Sequence, residues 1–373
     1  MNDRTSETVA LFLSSCVLSP EYLHVSSGHC RMGRRQGGVS EASPICFFPR
    51  ANRGRFAYPT QPPAHFDRNP SGLRQTLILI PNSSWSIFAF LNAMVVNVQV
   101  PASTTNLGPG FDCLGISLQL WNWIKIEADH SPGPIPEMAS QAAELFFNRT
   151  GQTRFPFIFS IEGEVPQARG LGSSVTLRLG VLMALDRITN SGLSKREICD
   201  LCAELEGHPD NAAAALFGGF TVFSKSTRKV ARFDVDPKLH FVLFIPDFEV
   251  KTADARQVVP TKFTREDVVD NLGNATMIAA AFASGKYEYL QNAFEDRLHQ
   301  PFREKFVPFL PRLLRAGMEA GALGGFLSGS GSTVACVTLS DPEKVGAALD
   351  KAAPSENAKI LIVNADNTGS RIV

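Results

Sequence analysis

The sequence predicts an α+β fold, in which strands and helices mix without the regular strand–helix repeat of a parallel sheet. Three observations support this class. Residues 116–128 (ISLQLWNWIKIEA) carry Leu, Trp and Ile at alternate positions, as a half-buried strand does. Residues 166–174 (PQARGLGSS) lead directly into an apolar, helix-like run, and a second series of strands and helices starts near Phe233. A chain of 373 residues is long enough for two packed domains.

Periodicity and turn residues predict each element of the first series. Residues 95–100 alternate as a strand, and the turn-rich residues 101–111 predict a loop before the strand at 116–128. The elements expected next are a strand over 157–165, a helix from about Ser173, a second helix ending near Gly207, and a strand over 217–224.

The second series follows a domain boundary that we place near residue 235. Its apolar runs alternate with turn residues and with segments of helical spacing. The expected elements are a strand over 239–247, helices over 270–285 and 305–321, a strand and turn over 326–339, a helix over 341–353 capped by Asp341, and a closing strand over 360–373.

Residues 1–93 differ in composition from the rest of the chain. They contain nine Arg, no Lys and five acidic residues, whereas the remaining residues carry 27 basic and 31 acidic side chains. Because this Arg-, Pro- and Ser-rich segment has no clear periodicity, we expect an unstructured extension. Three interpretations stay open: an organellar transit peptide, a disordered tail, or an upstream stretch included before a true start at Met94.

Charge and hydropathy exclude several classes of partner. The formal net charge is zero, and the chain beyond residue 93 lacks the basic footprint of a nucleic-acid-binding protein. The apolar residues 76–91 are interrupted at 81–84 (PNSS), which leaves pieces shorter than the roughly 20 residues of a membrane-spanning helix. We therefore expect a cytoplasmic protein with no membrane partner. The sequence leaves the oligomeric state open, and a homodimer is one of the options.

The loop at 166–174 has the composition of a phosphate cradle. Gly170 and Gly172 tolerate positive φ, so the backbone can present several N–H groups to an anion. A helix that starts at Ser173 adds its unpaired N–H groups and the positive end of its dipole. The chain has no P-loop, dinucleotide-binding or protein-kinase signature. By itself, such a loop fits an ordinary helix N-cap as well as a nucleotide site.

Three further segments decide between these interpretations. They are VPASTTNLGPGFDCLGISL at 100–118, EGHPDNAAAALFGGF at 206–220 and GGFLSGSGSTVACV at 324–337. In this order and spacing, together with the Gly/Ser loop, they resemble the motifs of the GHMP small-molecule kinases, and among these most closely the homoserine kinase branch. The resemblance extends from about residue 96 to the C-terminus.

The resemblance implies a fold, a nucleotide and a metal. Residues 94–235 are expected to form a mixed α/β nucleotide domain, and residues 236–373 a ferredoxin-like α+β domain. ATP and Mg²⁺ are the implied cofactors. Glu206 is the implied metal ligand together with Ser174, and Glu204 is the alternative to Glu206. The residues expected to bind ATP are Pro166, Ala168, Arg169, Gly170, Leu171, Gly172, Ser173, Ser174, Val175 and Thr176.

The resemblance also implies an amino-acid substrate, L-homoserine, which would be converted to O-phospho-L-homoserine, the step before threonine synthase. A zwitterionic substrate needs an acidic group for its ammonium and an arginine fork for its carboxylate. By resemblance, Asn106 and Asp112 contact the ammonium end. Thr252, Arg256 and Arg303 clamp the carboxylate.

The EGHPDN segment supplies the remaining cage residues. By resemblance, His208 and Asn211 line the substrate cage, with Asn211 closest to the reacting hydroxyl. No catalytic base is assigned, because the resemblance implies catalysis by proximity and by charge stabilisation. Asp210 is the obvious acidic residue nearby, but its position also fits a structural role in the turn.

Departures from the family pattern keep two alternatives open. Bulky residues 175–178 (VTLR) follow the Gly/Ser loop where the family tends to small ones, and Arg178 is unusual on that helix unless it faces solvent. Ser330 and Ser332 replace the usual Ala and Pro of the last motif. The alternatives are another GHMP kinase, acting on a mevalonate-type or sugar substrate, and a non-catalytic amino-acid-binding homologue that has lost ATP turnover.

Overall fold

The computed structural model of the protein describes residues 94–129 and 133–373. The expectations for residues 1–93 lie outside these described residues. The described strands are β1 (Val95–Asn106), β2 (Gly110–Ala128), β3 (Phe157–Gly163), β4 (Phe220–Ser224), β5 (Lys229–Phe233), β6 (His240–Ile245), β7 (Gly324–Leu327), β8 (Val334–Thr338), β9 (Lys359–Val363) and β10 (Arg371–Ile372).

The helices follow the strands in two groups along the chain. Among the described residues, short 3₁₀ segments accompany them at Tyr287–Leu290, Glu304–Phe306 and Pro354–Glu356. The described α-helices are α1 (Glu137–Thr150), α2 (Ser173–Thr189), α3 (Lys195–Glu206), α4 (Asp210–Phe217), α5 (Thr252–Gln257), α6 (Arg265–Ser284), α7 (Gln300–Arg303), α8 (Leu310–Glu319) and α9 (Pro342–Ala352).

Two antiparallel sheets organise these elements. The first has the strand order β10-β1-β2-β4-β5, and β3 pairs with β2 off this path. The second has the order β7-β8-β6-β9, and its strands and helices follow the split βαβ scheme of ferredoxin-like domains. The expected α+β class and two-part architecture are therefore confirmed. The chain passes between the sheets from β5 to β6, where the boundary near residue 235 was predicted; a division there into separate domains stays a prediction.

Three apolar clusters hold the layers together. One packs α1, α2 and α3 against β1 and β2, and another packs α8 and α9 against β6 and β8. The third joins the two sheets, since it includes Ile116 and Phe220 from the first and Phe241 from the second. In this cluster Phe220 stacks on Phe282 of α6, with ring centroids 4.2 Å apart. The shared core fixes both sheets relative to the cleft between them.

The predicted loop at 101–111 is wrong over its first half, because β1 continues to Asn106. A register shift between Pro101 and Ala102 accommodates the proline, and Ser103 then pairs with Ser117 of β2. Ser103, Thr104 and Thr105 are fully buried despite their polarity. Their hydroxyl groups are satisfied by hydrogen bonds to other segments, which hydropathy alone does not indicate.

Three predictions for the C-terminal half also need correction. The closing strand at 360–373 is divided into β9 and β10, which belong to different sheets and flank a turn in which Asp366 accepts bonds from two backbone N–H groups. The helix expected over 305–321 starts only at Leu310, because Pro308 disfavours the helical conformation in the residue before it. Asp341 precedes α9 with φ of 46°, and its side chain makes no cap hydrogen bond within the described chain. In the described residues no helix has the length and apolarity to cross a bilayer.

Candidate active site

A cavity of about 490 Å³ lies where the two sheets meet the start of α2. All seven residues predicted for the substrate cage line it, although they come from four separate segments. They are Asn106, Asp112, His208, Asn211, Thr252, Arg256 and Arg303.

The Gly/Ser loop forms another wall of the same cavity. Of the residues predicted to bind ATP, the lining includes Ala168, Arg169, Gly170, Gly172, Ser173, Ser174 and Val175. Pro166, Leu171 and Thr176 lie outside the lining, and the last two are fully buried. Arg169 points from the loop toward the second sheet, since its Nε donates to the Pro246 carbonyl over 2.9 Å.

Two glycines allow the loop to pass close to the third motif and to β1. Gly170 (φ 72°) is so near Ser328 that a Cβ there would lie 2.1 Å from the Ser328 carbonyl oxygen. At Gly172 (φ 71°) a Cβ would lie 2.3 Å from Ser103 Oγ. The loop carbonyls are bound by the protein: Ser328 Oγ donates to Gly170 O over 2.6 Å, and Ser103 N donates to Leu171 O over 3.1 Å. No side chain of the described residues caps the start of α2, so its first N–H groups can bind a ligand.

Glu206 and Ser174 meet at the edge of this loop. Ser174 Oγ donates to Glu206 Oε2 over 3.0 Å, and Arg178 Nη1 donates to Glu206 Oε1 over 2.5 Å. Glu204 instead pairs with Arg149 over 2.7 Å, and both side chains are more than half exposed. Glu206 is therefore the acidic residue that faces the loop. Arg178 does not face solvent, since its side chain is 12% exposed.

Side chains of β1 hold Asn211 in place. Ser103 Oγ donates to Asn211 Oδ1 over 2.9 Å, and Asn211 Nδ2 donates to Thr105 Oγ1 over 3.1 Å. With both ends of the amide bound, the remaining N–H of Nδ2 is available to a ligand. Sequence reasoning did not identify Thr105, which also lines the cavity.

Asp112 and Arg256 face each other across the mouth of the cavity. Arg256 Nη2 and Nη1 donate to the two Asp112 oxygens over 2.7 and 3.0 Å, and both side chains are about one-third exposed. Asn106 orients Asp112, since the Asp112 backbone N–H donates to Asn106 Oδ1. The two groups predicted for opposite ends of one substrate are thus paired with each other.

Arg303 is buried behind this pair and is held by three acceptors. It donates from Nε to the Ala255 carbonyl, and from Nη1 to the Gly329 carbonyl and to His299 Nδ1. His299 is therefore neutral, with its proton on Nε2 donated to a backbone carbonyl. Burial, together with the neighbouring Arg256 charge, lowers the pKa of Arg303 to about 10.

An aromatic ring that the sequence analysis did not identify contacts both guanidinium groups. Phe111 lies with its ring centroid 5.6 Å from Arg256 Cζ and 5.1 Å from Arg303 Cζ. Cations over an aromatic face are stabilised by the ring quadrupole. Phe111 lies between Gly110 and Asp112 in the first motif, and this position is the sequence signal for its role.

His208 and Asp210 form a buried pair at the start of α4. The distance from His208 Nδ1 to Asp210 Oδ1 is 2.8 Å, and both residues are at least 92% buried. Burial favours neutral His208, but the hydrogen bond and charge of Asp210 outweigh it and raise the pKa of His208. Burial likewise disfavours ionised Asp210, and the contacts with His208 lower its pKa in spite of that. This carboxylate is committed to His208 and is a poor candidate for a base.

Part of the cavity is apolar. Its lining there comprises Pro136, Met138, Ile161, Val175 and Leu177. Met138 and Ile161 are each 39% exposed, although their side chains are large and hydrophobic. Apolar walls beside a polar anion cradle suit a ligand with a flat hydrophobic part and a charged part. Among these residues, sequence reasoning named Val175 as an ATP-binding residue and Leu177 only as part of the bulky run after the loop.

Sequence comparisons show which family the chain belongs to. The chain matches the GHMP kinases N terminal domain over residues 137–219 and the GHMP kinases C terminal domain over residues 278–355. It is 36% identical over 299 residues to a homoserine kinase of Caldicellulosiruptor bescii, which covers 74% of this chain and 97% of that protein. It is 38% identical to a homoserine kinase of Synechococcus, over 68% of this chain and 88% of the relative. The chain belongs to the homoserine kinase family of GHMP kinases.

Solved structures agree with this membership at the level of the fold. A homoserine kinase from Cytophaga hutchinsonii superposes with a TM-score of 0.69 at 22% identity, over 75% of this chain and 97% of that one. A mevalonate kinase superposes with a TM-score of 0.55 at 16% identity, over 74% and 100%. Both are therefore structures of the same fold.

Most of the bulky residues that depart from the homoserine kinase pattern are accommodated by the core. Thr176 is fully buried and donates to the Ser173 carbonyl, while Val175 and Leu177 pack in the α1–α2 core with small parts of their surface on the cavity. Ser332 Oγ donates to the Phe248 carbonyl over 2.6 Å. The bulk after the loop thus leaves a cavity of ligand size.

Proposed function

We propose that this GHMP kinase transfers the γ-phosphoryl group of ATP to the hydroxyl of L-homoserine, giving O-phospho-L-homoserine and ADP. One observation carries the proposal. An acidic group, Asp112, and two guanidinium groups, Arg256 and Arg303, lie in the same cavity as the phosphate loop. A neutral sugar needs neither charge, and mevalonate needs only the cation. The name of the family relatives supports the same substrate.

The polar and apolar ends of the cavity fit the two ligands. The adenine ring would lie against Met138 and Ile161, and the triphosphate against the N–H groups at the start of α2. The amino acid would then occupy the end formed by Asp112, Arg256 and Arg303. Its carboxylate pairs with the guanidinium groups and its ammonium with Asp112, which leaves the side-chain hydroxyl to point toward Asn211.

The donor set at the loop fits Mg²⁺. Glu206 and Ser174 offer one carboxylate and one hydroxyl beside the phosphate cradle, and no group of three His, Cys, Asp or Glu side chains in residues 94–129 and 133–373 forms a metal cluster. Mg²⁺ keeps several waters and binds substrate phosphates, so one or two protein ligands suffice. When bound, the ion neutralises charge on the transferring phosphoryl group.

The protein contributes positioning and charge more than proton transfer. Asn211 is fixed by Ser103 and Thr105, so its free amide N–H can hold the substrate hydroxyl in line with the phosphoryl group. Asp210 is held by His208 and is not assigned as a base. The loop N–H groups stabilise the oxygen charge that develops during transfer. We also propose that the protein is cytoplasmic and that a domain boundary lies near residue 235.

The experiment is identification of the product. The full chain is incubated with ATP, Mg²⁺ and L-homoserine, and phosphorus NMR follows ADP and new phosphomonoesters. We expect one O-phosphohomoserine for each ADP. ADP formation without a phosphomonoester would reveal hydrolysis only. Homoserine binding with no ADP formation would support the non-catalytic alternative.

A further inference from the structure

Arg178 brings a positive charge to the carboxylate proposed for the metal. It lies one helical turn after Ser174 on α2, so both side chains point from the same face toward the end of α3. Its Nη1 donates to Glu206 Oε1 over 2.5 Å and to the Leu205 carbonyl over 2.9 Å. The Arg178 and Glu206 side chains are 12% and 8% exposed, so water screens their attraction little.

The contact with Arg178 engages the Glu206 carboxylate, which is the group that a divalent cation would bind. Glu206 offers two oxygens, of which Oε2 accepts from Ser174 and Oε1 from Arg178. Arg178 Nε is buried and finds no acceptor among the described residues. The guanidinium group is therefore held against one carboxylate and is not shared with a second acidic partner. A cation that approaches Glu206 meets a carboxylate whose charge is already balanced, and a like charge beside it.

We propose that Arg178 is a fixed cation of the phosphate site, which neutralises Glu206 and thereby weakens divalent-cation binding there. The inference rests on the proposed kinase function. Arg178 is a positioning residue in this account, since it acts through Glu206. The competing account is purely structural: by donating to the Leu205 carbonyl, Arg178 would only close the C-terminus of α3.

Calorimetry with a non-hydrolysable ATP analogue, AMP-PNP, distinguishes the two accounts without any turnover. The dissociation constant is measured with excess Mg²⁺ and again with EDTA, for the full chain and for Arg178→Gln, which keeps a hydrogen-bond donor but removes the charge. Arg178→Met is a second neutral variant, should the first not fold. Arg187→Met removes an exposed charge from the other end of the same helix and is the matched control.

We expect Mg²⁺-loaded AMP-PNP to bind on the order of tenfold more tightly to Arg178→Gln than to the unaltered chain, because Glu206 is released for the metal. Metal-free AMP-PNP should bind no more tightly, and Arg187→Met should change neither constant. Adding Glu206→Gln to Arg178→Gln should abolish the gain. An unchanged or weaker Mg²⁺-loaded constant in Arg178→Gln would overturn the proposal. An unaltered chain that binds neither form of the nucleotide would instead count against the kinase function.

Discussion

Arg256 and Asp112 form a bidentate ion pair, with Arg256 Nη2 2.7 Å from Asp112 Oδ1 and Nη1 3.0 Å from Asp112 Oδ2. In the proposed binding mode, a zwitterionic ligand would replace this pair without leaving a charge unpaired, because its carboxylate would pair with Arg256 and its ammonium with Asp112. A ligand with only one of the two charges would separate Asp112 from Arg256 and leave one of them without a counter-charge. The pair therefore favours ligands that carry both charges.

Removing Asp112 should relax this selectivity. In Asp112→Asn, we expect the KM for L-homoserine to rise about tenfold or more, because the ammonium loses its counter-charge. The inhibition constant of 4-hydroxybutanoate, which has the carboxylate but no ammonium, should fall several-fold, because Arg256 is no longer engaged. Steady-state kinetics with both compounds measures the two changes. The exposed Asp254 on α5 provides the control variant Asp254→Asn. Weaker binding of 4-hydroxybutanoate by Asp112→Asn would contradict this use of the pair.

Substitution of Arg303 should weaken homoserine binding and leave ATP binding nearly unchanged. Arg303→Lys keeps the charge but loses the planar fork, so the KM for homoserine should rise roughly tenfold while the KM for ATP changes less than about twofold. The exposed Arg297 offers the control Arg297→Lys. Equal losses for ATP and homoserine would remove Arg303 from the substrate cage.

Substitution of Glu206 and substitution of Glu204 should have very different effects on kcat, although only Leu205 separates the two residues. Glu206→Gln keeps the shape but removes the charge facing Ser174, so we expect kcat to fall on the order of a hundredfold with homoserine binding nearly unchanged. Glu204→Gln affects only a surface ion pair with Arg149 and should leave kcat within about twofold. The reverse pattern would move the metal ligand to Glu204.

The His208–Asp210 pair predicts a pH dependence of stability. Because the pKa of His208 is raised in the folded state, the protonated pair contributes its full stability below the unfolded pKa of His. That contribution is lost as the pH rises through the folded pKa. Denaturant titrations of the full chain and of His208→Gln should therefore show a larger difference in unfolding free energy at about pH 5.5 than at about pH 8.5. The same difference at both values would show that His208 is not charged in the pair.

Local patterns predict the chemistry-bearing segments well, since glycine spacing and charged residue types are read directly from the chain. The structure brings all seven predicted cage residues to one cavity, and Gly170 and Gly172 adopt the positive φ that their loop requires. Helix α1 is missing from the sequence prediction, although its buried residues recur at helical spacing. Ala139, Ala142, Phe146 and their neighbours are the signal that identifies it.

Tertiary pairing accounts for what the sequence analysis placed wrongly. Arg178 is an exposed residue by local criteria, but its partner Glu206 lies 28 positions further along the chain. The strand through Ser103 and Thr105 is polar, and its hydrogen bonds to Asn211 and Ser328, on distant segments, make burial favourable. The apolar end of the cavity is assembled from α1, β3 and α2, and no single segment carries a signal for it.

We propose that the cavity selects a zwitterionic amino-acid alcohol as phosphoryl acceptor. The most direct measurement is a coupled ADP-release assay in which L-homoserine, mevalonate and galactose are offered side by side at the same ATP and Mg²⁺ concentrations. We expect kcat/KM for L-homoserine to exceed that of each competitor by on the order of a hundredfold or more, because an unpaired Asp112 or Arg256 penalises the others. Comparable or faster turnover of mevalonate or galactose would contradict the account.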